Sequence, residues 1–273
     1  MGGITLTAAV RQNLLALQNT ADLMSQTQTR LATGKKVNSA LDNPGAFFTA
    51  SGLDNRASDL TALLDDMGQA VQTLKAADQG IKAITSLVEA AKAKANQALA
   101  TSDAAVRADY AAEFDELMAQ IEFVATDSGY KGKNLLGADD LTVNFNEDAS
   151  STSTITAVDY TDATAVGGLN IADAALAWAA DADITAAVDD INAALVTLRA
   201  QASTFGTNLT VIQAREDFTK NLINTLQEGS AKLTLADVNE ESANLLALQT
   251  RQALSVTALS MASQAEQAVL RLF

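Results

Sequence analysis

The sequence predicts a mainly α protein: long antiparallel coiled-coil rods, a small β-hairpin, and N- and C-terminal helices that form a separate domain. Three observations carry this. The chain has one proline in 273 residues, and proline is the strongest helix breaker. Hydrophobic residues make up 48% but aromatics only 4%, which suits long helices packed through Ala, Leu, Ile and Val rather than bulky cores. Apolar residues also recur in alternating steps of three and four over two long stretches, 53–98 and 184–226, the spacing of coiled-coil seams.

Residues 4–33 read as the first helix, with Leu14, Leu17, Ala21, Met24, Gln28 and Leu31 spaced by threes and fours. The segment "RLATGKKVNSALDNPGAFFTA" at 30–50 interrupts it. Gly34 can end a helix in a left-handed conformation. Asn43 can cap the next helix, with Pro44 at its first position, where no hydrogen bond is lost. The whole stretch therefore reads as an ordered joint between helices, stopped by Gly34 and restarted by Asn43 and Pro44. A phosphate loop does not fit: Thr29 stands where its first glycine belongs and Lys36 where its Ser or Thr belongs.

From Leu53 the seam runs 53, 57, 60, 64, 67, 71, 74, slips, and resumes at Ala77, Ile81, Ile84, Val88, Ala91, Ala95 and Ala98. Two consecutive steps of three form a stammer, which overwinds a supercoil locally. "TSD" at 101–103 supplies capping residues for a helix with the stripe Tyr110, Phe114, Leu117, Ile121 and Val124. "DSGYKGKNLLG" ends it. Alternation at Leu141, Val143 and Phe145, and at Ile155 and Ala157, predicts a β-hairpin near 141–158 with a polar tip. A second rod begins at Ile184, slips once after Ile212, and continues through Phe218, Leu222 and Leu226 until "QEGSAKLTLADVNEES" breaks it. Residues 240–273 form the last helix.

Composition excludes several functions. There is no histidine and no cysteine, which removes the commonest general base, thiol nucleophiles, imidazole and thiolate metal sites, and disulfides. No cofactor, metal or catalytic residue is expected. The formal charge of −15 opposes binding to nucleic acid or to an anionic membrane. No run approaches the ~20 apolar residues of a spanning helix, so no membrane insertion is expected. The start, "MGGITLTAAVRQ", lacks the basic region of a cleaved signal peptide, and Leu6 stands where a myristoylation signal needs Ser or Thr. The acidic pairs Asp65-Asp66, Asp139-Asp140 and Asp189-Asp190 read as charged outer faces, because neighbours in a helix do not face the same way.

The terminal helices are unusually bare of charge. Residues 242–273 carry only Arg251, Glu266 and Arg271, whereas a solvated helix normally has a broad charged face. Either the two termini pack together within one chain, or copies of the same chain bury them.

With these pieces in place, the chain resembles bacterial flagellin, of the short alphaproteobacterial kind without outer domains. Arg30-Leu31, Thr33-Gly34, Val37, Ser39-Ala40 and Asp42-Asn43 resemble the family's joint signature. "ADQGIKAITSLVEAAKAKANQA" at 77–98 is similar to its rod, and "GYKGKNLL" at 129–136 to the turn before its hairpin. "ADVNEES" at 236–242 and "MASQAEQAVLRLF" at 261–273 resemble its C-terminal signature. The hairpin tip and 159–183 match least.

The resemblance implies a structural subunit, not an enzyme, that polymerises with copies of itself into the flagellar filament. It implies residues 1–33 and 236–273 as the two parts of an inner assembly domain. Residues 34–52 are then the joint and start of the rod, and 53–235 the rod domain with its hairpin. The implied subunit interface comprises Leu14, Leu17, Met24, Leu31, Leu248, Leu259, Val269, Leu272 and Phe273. Implied partners are the flagellar export apparatus and chaperone, the filament cap and the hook-junction proteins. The implied location is extracellular, reached without a cleaved signal peptide. Ser150, Ser151, Thr152 and Ser153 are candidates for O-glycosylation on the filament surface. Two rival readings are a hook–filament junction protein of the same export system and an all-α enzyme using carboxylates.

Overall fold

Where the sequence runs longest without clustered turn residues, the chain is helical. The computed structural model describes residues 8–270. Five helices hold most of them: α1 (Ala8–Thr33), α2 (Pro44–Leu99), α3 (Ala104–Asp127), α4 (Asp181–Thr234) and α5 (Val238–Leu270). Between α3 and α4 lie two strands, β1 (Leu141–Asn144) and β2 (Thr152–Ile155). They pair antiparallel, Leu141 opposite Ile155 and Asn144 opposite Thr152. The chain divides into two compact units, Ala57–Ile223 and the remainder on either side of it in sequence.

In the Ala57–Ile223 unit, α2, α3, α4 and the segment between them bury one continuous core. On α4 the seam is more regular than the sequence suggested. Ile184, Ile191, Leu198, Phe205, Ile212, Thr219 and Leu226 are all buried at strict seven-residue intervals. No slip occurs after Ile212: Thr219 is 2% exposed, whereas Phe218 is 58% exposed. The apolar reading had followed the larger side chain off the seam. The break expected over 227–242 falls at 235–237, between the end of α4 at Thr234 and the start of α5 at Val238, so 227–234 remain helical. Gly229 there accommodates a neighbour rather than a bend, a Cβ at that position lying 3.4 Å from Leu53 Cδ1.

On α2 one stripe is unbroken through Leu60, Met67, Leu74, Ile81, Val88 and Ala95, all nearly inaccessible. Its companion stripe changes sides around Leu74, from Ala57 and Val71 to Ala77, Ile84, Ala91 and Ala98. This is the stammer in structural terms. Here the segment after α3 also covers α2: a Cβ on Gly80 would lie 2.2 Å from Ser128 Oγ and 2.7 Å from Leu136 Cδ1. Only glycine lets the turn come that close.

Helix α3 begins as its sequence dictates, with the Asp103 carboxylate accepting from Ala105 N–H at 2.9 Å. Its fully buried stripe is Ala111, Phe114, Met118, Ile121 and Ala125. The expected positions Tyr110, Leu117 and Val124 lie one residue round the helix, partly buried. Paired charges join the elements: Lys94 with Glu113, and Arg107 with Asp181. Lys92 Nζ also donates to Asn192 Oδ1 at 2.6 Å.

The segment 159–180 shows no periodicity but is part of the core. Tyr160, Ala163, Leu169, Ile171 and Trp178 are buried, and the Trp178 ring lies 5.0 Å from that of Phe114. Two α3 carboxylates anchor its backbone, Glu122 accepting from Ala163 N–H at 3.0 Å and Asp115 from Ala174 N–H at 2.8 Å. Burial pushes the Tyr160 hydroxyl up to about 12.

Candidate functional site

In the other unit, α1 and α5 pack on each other. The less exposed positions of α1 are Val10, Asn13, Leu17, Thr20, Met24, Thr27 and Leu31. Those of α5 include Glu241, Leu245, Leu248, Gln252, Ser255, Leu259 and Ala262, with Ala258 beside them. Both series step by threes and fours, so each helix contributes one coiled-coil stripe. Arg30, near the end of α1, bonds Glu241, in the first turn of α5. The two helices are therefore antiparallel. Polar residues sit in the stripe because they can satisfy themselves locally, as when Thr20 Oγ1 donates back to Ala16 C=O at 2.8 Å.

The expected first-helix stripe is thus corrected: Ala21 and Gln28 are exposed, and their places are taken by Thr20 and Thr27. Of the interface candidates, Leu17, Met24, Leu31, Leu248 and Leu259 are half-buried on these stripes. Leu14 is 40% exposed and lies off the stripe. The side chain of Val269, and Leu272 and Phe273 altogether, lie outside the described residues. The sequence reading passed over Leu15, Leu23, Leu246, Leu254, Val256 and Met261, all exposed. Six large apolar side chains are thus left open to water on these two paired helices. Exhausting the intrachain stripe first and then asking which apolar residues remain would have found them.

The joint is built by local chemistry and by one long-range ladder. Gly34 adopts φ +68° and stops α1. Lys36 N–H and Val37 N–H both reach Thr234 C=O, at 2.7 and 3.3 Å, and Ala236 N–H donates to Gly34 C=O at 3.0 Å. The α1–α2 connection is therefore laced to the α4–α5 connection. Next, the Asp42 carboxylate accepts from Asn38 N–H at 3.0 Å, Ser39 N–H at 2.9 Å and Ser39 Oγ at 3.3 Å. Asn43 Oδ1 then accepts from Ala46 N–H at 3.1 Å, and Pro44 opens α2. The expected joint residues Arg30, Gly34, Ser39, Asp42, Asn43 and Pro44 come together here, because Arg30 Nη1 bonds Glu241 Oε1 at 3.0 Å on the adjoining α5. Glu241 is 7% exposed, and its second oxygen is buried without a hydrogen-bond partner.

The Asn38 and Ser39 backbone N–H groups hold the Asp42 carboxyl below its ordinary value of 3.8. A carboxylate with a lowered pKa stabilises the fold above its unfolded pKa, and that contribution is lost as pH falls through the folded value. Asp42→Asn is accordingly expected to loosen the joint at neutral pH and to flatten its acid dependence below about pH 4. Amide exchange at Asn38 and Ser39 across a pH series measures this; an unchanged profile contradicts it.

At the hairpin tip, Ser150 Oγ donates to Asp148 at 2.8 Å and accepts from Asn146 Nδ2 at 2.7 Å. Ser150 and Thr152 are exposed, Ser151 and Ser153 half-buried. Among the described residues no cluster of acidic groups could hold a metal ion, and no helix is long and apolar enough to cross a membrane.

Comparison with known proteins matches residues 5–140 to the bacterial flagellin N-terminal helical region and 188–273 to the bacterial flagellin C-terminal helical region. Flagellin FljO of Caulobacter vibrioides is 32% identical over 95% of both chains. Flagellin FljM of the same organism is 33% identical over 95% of both. A flagellin of Brucella melitensis is 29% identical over all of this chain and 99% of its own.

Proposed function

Since the chain belongs to the bacterial flagellin family, whose two helical regions it matches on both sides of the hairpin, we propose that it is a filament subunit whose α1–α5 pair is the inner assembly element. It is a structural protein of the flagellar filament, working outside the cell in swimming motility, and it performs no catalysis. The single observation behind the assembly role is the exposed apolar set on α1 and α5, Leu15, Leu23, Leu246, Leu254, Val256 and Met261. Copies of the chain bury these side chains, together with the exposed part of Leu14, Leu17, Met24, Leu31, Leu248 and Leu259 and the terminal Val269, Leu272 and Phe273.

In this reading residues 1–33 and 236–273 form the assembly domain, 34–52 the joint and rod start, and 53–235 the rod. The joint is an ordered connection held by named contacts. Arg30–Glu241 and the Gly34–Val37 ladder supply its stiffness, and Ser39, Asp42, Asn43 and Pro44 its turn. The proposal extends to export through the flagellar apparatus with a chaperone and to contact with cap and hook-junction proteins, which the family membership supports. Sugars attached at Ser150–Ser153 would project from the filament, the exposure of Ser150 and Thr152 supporting that placement.

The test is electron microscopy of the purified full chain after seeding at raised salt. Long helical filaments are expected. A protein that remains monomeric at all concentrations would overturn the assignment, and incorporation only at the hook end would give the junction role instead.

A further inference from the structure

The tip of the joint presents a leucine that its own chain leaves in water. Leu41 is 95% exposed, yet the turn beneath it is firmly built. Leu41 N–H donates to Ser39 Oγ at 3.3 Å, and Ser39 and Asn38 are both held by the Asp42 carboxylate. An exposed leucine on a floppy loop costs little to explain. One fixed at the apex of a braced turn is a preorganised knob, with little ordering entropy left to lose on docking.

The same unit carries a matching hole. Beside the ladder, Val37, Phe47, Ala50 and Leu235 line a cleft of about 410 Å³ whose rim includes Lys35 and Ser51. Leu41 is not among its lining residues. The hole is large enough to admit a leucine side chain, and Leu235 remains 51% exposed at its edge. Charge does not decide the match. Lys35 makes no ion pair among the described residues, and Asp42 gives the incoming turn a negative charge next to its apex. Asp54, also on the rim, offsets Lys35, so the match is one of shape and apolar burial and not of charge.

We propose that Leu41 of one copy docks into the Val37–Phe47–Ala50–Leu235 cleft of a second copy, so that the joint is itself a subunit contact. This rests on the filament reading above and deepens it by naming a contact pair. A knob and a hole at different places on one chain make a heterologous contact, which propagates into an open polymer instead of closing on itself.

The absence of cysteine from the chain allows a clean test. Two full-length variants, Leu41→Cys and Ser51→Cys, are mixed in equal amounts, seeded into filaments and oxidised. A disulfide-linked dimer joining the two variants is expected, and neither variant alone should give it. Leu41→Ala should raise the critical concentration for polymerisation about tenfold, the scale of one leucine removed from a buried contact, with the monomer's helical signal unchanged. Filaments that form without the cross-link, at an unaltered critical concentration for Leu41→Ala, would overturn the contact. So would a loss of helix in the Leu41→Ala monomer, which would make Leu41 a folding residue. Failure of the unmodified chain to polymerise would instead strike the filament reading itself.

Discussion

Removing residues 242–273 is expected to abolish filament formation while leaving the helices of the Ala57–Ile223 unit intact. The deletion keeps Arg30 and Glu241 but removes Leu245, Leu248, Ser255 and Leu259, the α5 half of the coiled-coil stripe. It also removes Leu246, Leu254, Val256 and Met261 from the exposed apolar set. Burying each such side chain contributes roughly 1.5–3 kcal/mol, so four lost contacts per subunit exceed any stability a polymer contact can spare. Deleting residues 1–33 is the reciprocal experiment and should give the same phenotype, since α1 contributes the other stripe. The unit at 57–223 has its own core, so circular dichroism should still report a folded helical protein. Sedimentation after seeding reads assembly. Filaments from either truncation would refute the claim that the α1–α5 pair is the assembly element.

The legible parts of this fold are those fixed by local chemistry. The Asn43–Pro44 start, the Gly34 stop and the Asp103 cap each depend on residues within three positions, and each appears where the sequence puts it. The seams were legible in period and less so in membership. Thr20, Thr27 and Thr219 occupy buried stripe positions that a hydrophobicity reading gives to more apolar neighbours. A threonine can return its hydroxyl to the preceding turn and show the seam its methyl, which no apolarity scale registers. The ladder between 34–37 and 234–236 was illegible because backbone pairs at that separation leave no side-chain signature. The exposed leucines were visible as apolar residues. Which of them faced α5 and which faced water depended on a phase that only the packed pair reveals.

The segment 159–180 was the least legible, and it carries the second large expected effect. Trp178→Ala should destabilise the Ala57–Ile223 unit by about 3–5 kcal/mol, the usual cost of truncating a large buried aromatic. Trp178 is inaccessible and lies 5.0 Å from Phe114, itself fully buried on α3. Reaching that position takes an uncommon backbone, with Leu176, Ala177 and Trp178 at φ 48°, 49° and 56°. Residues held there persist only when surrounding contacts over-determine them. Here those contacts are the indole itself and the Asp115 carboxylate on Ala174 N–H. Without the indole only the Asp115 bond is left to hold the turn, so Leu169 and Ile171 should become accessible together with the vacated space. Thermal unfolding and hydrogen exchange at Ile171, whose N–H is bonded to Ala163 C=O at 2.8 Å, would record this. Trp178→Phe should recover most of the loss by refilling the contact with Phe114. If Trp178→Ala melts as the parent does, this segment is a passive connection and not a part of the core.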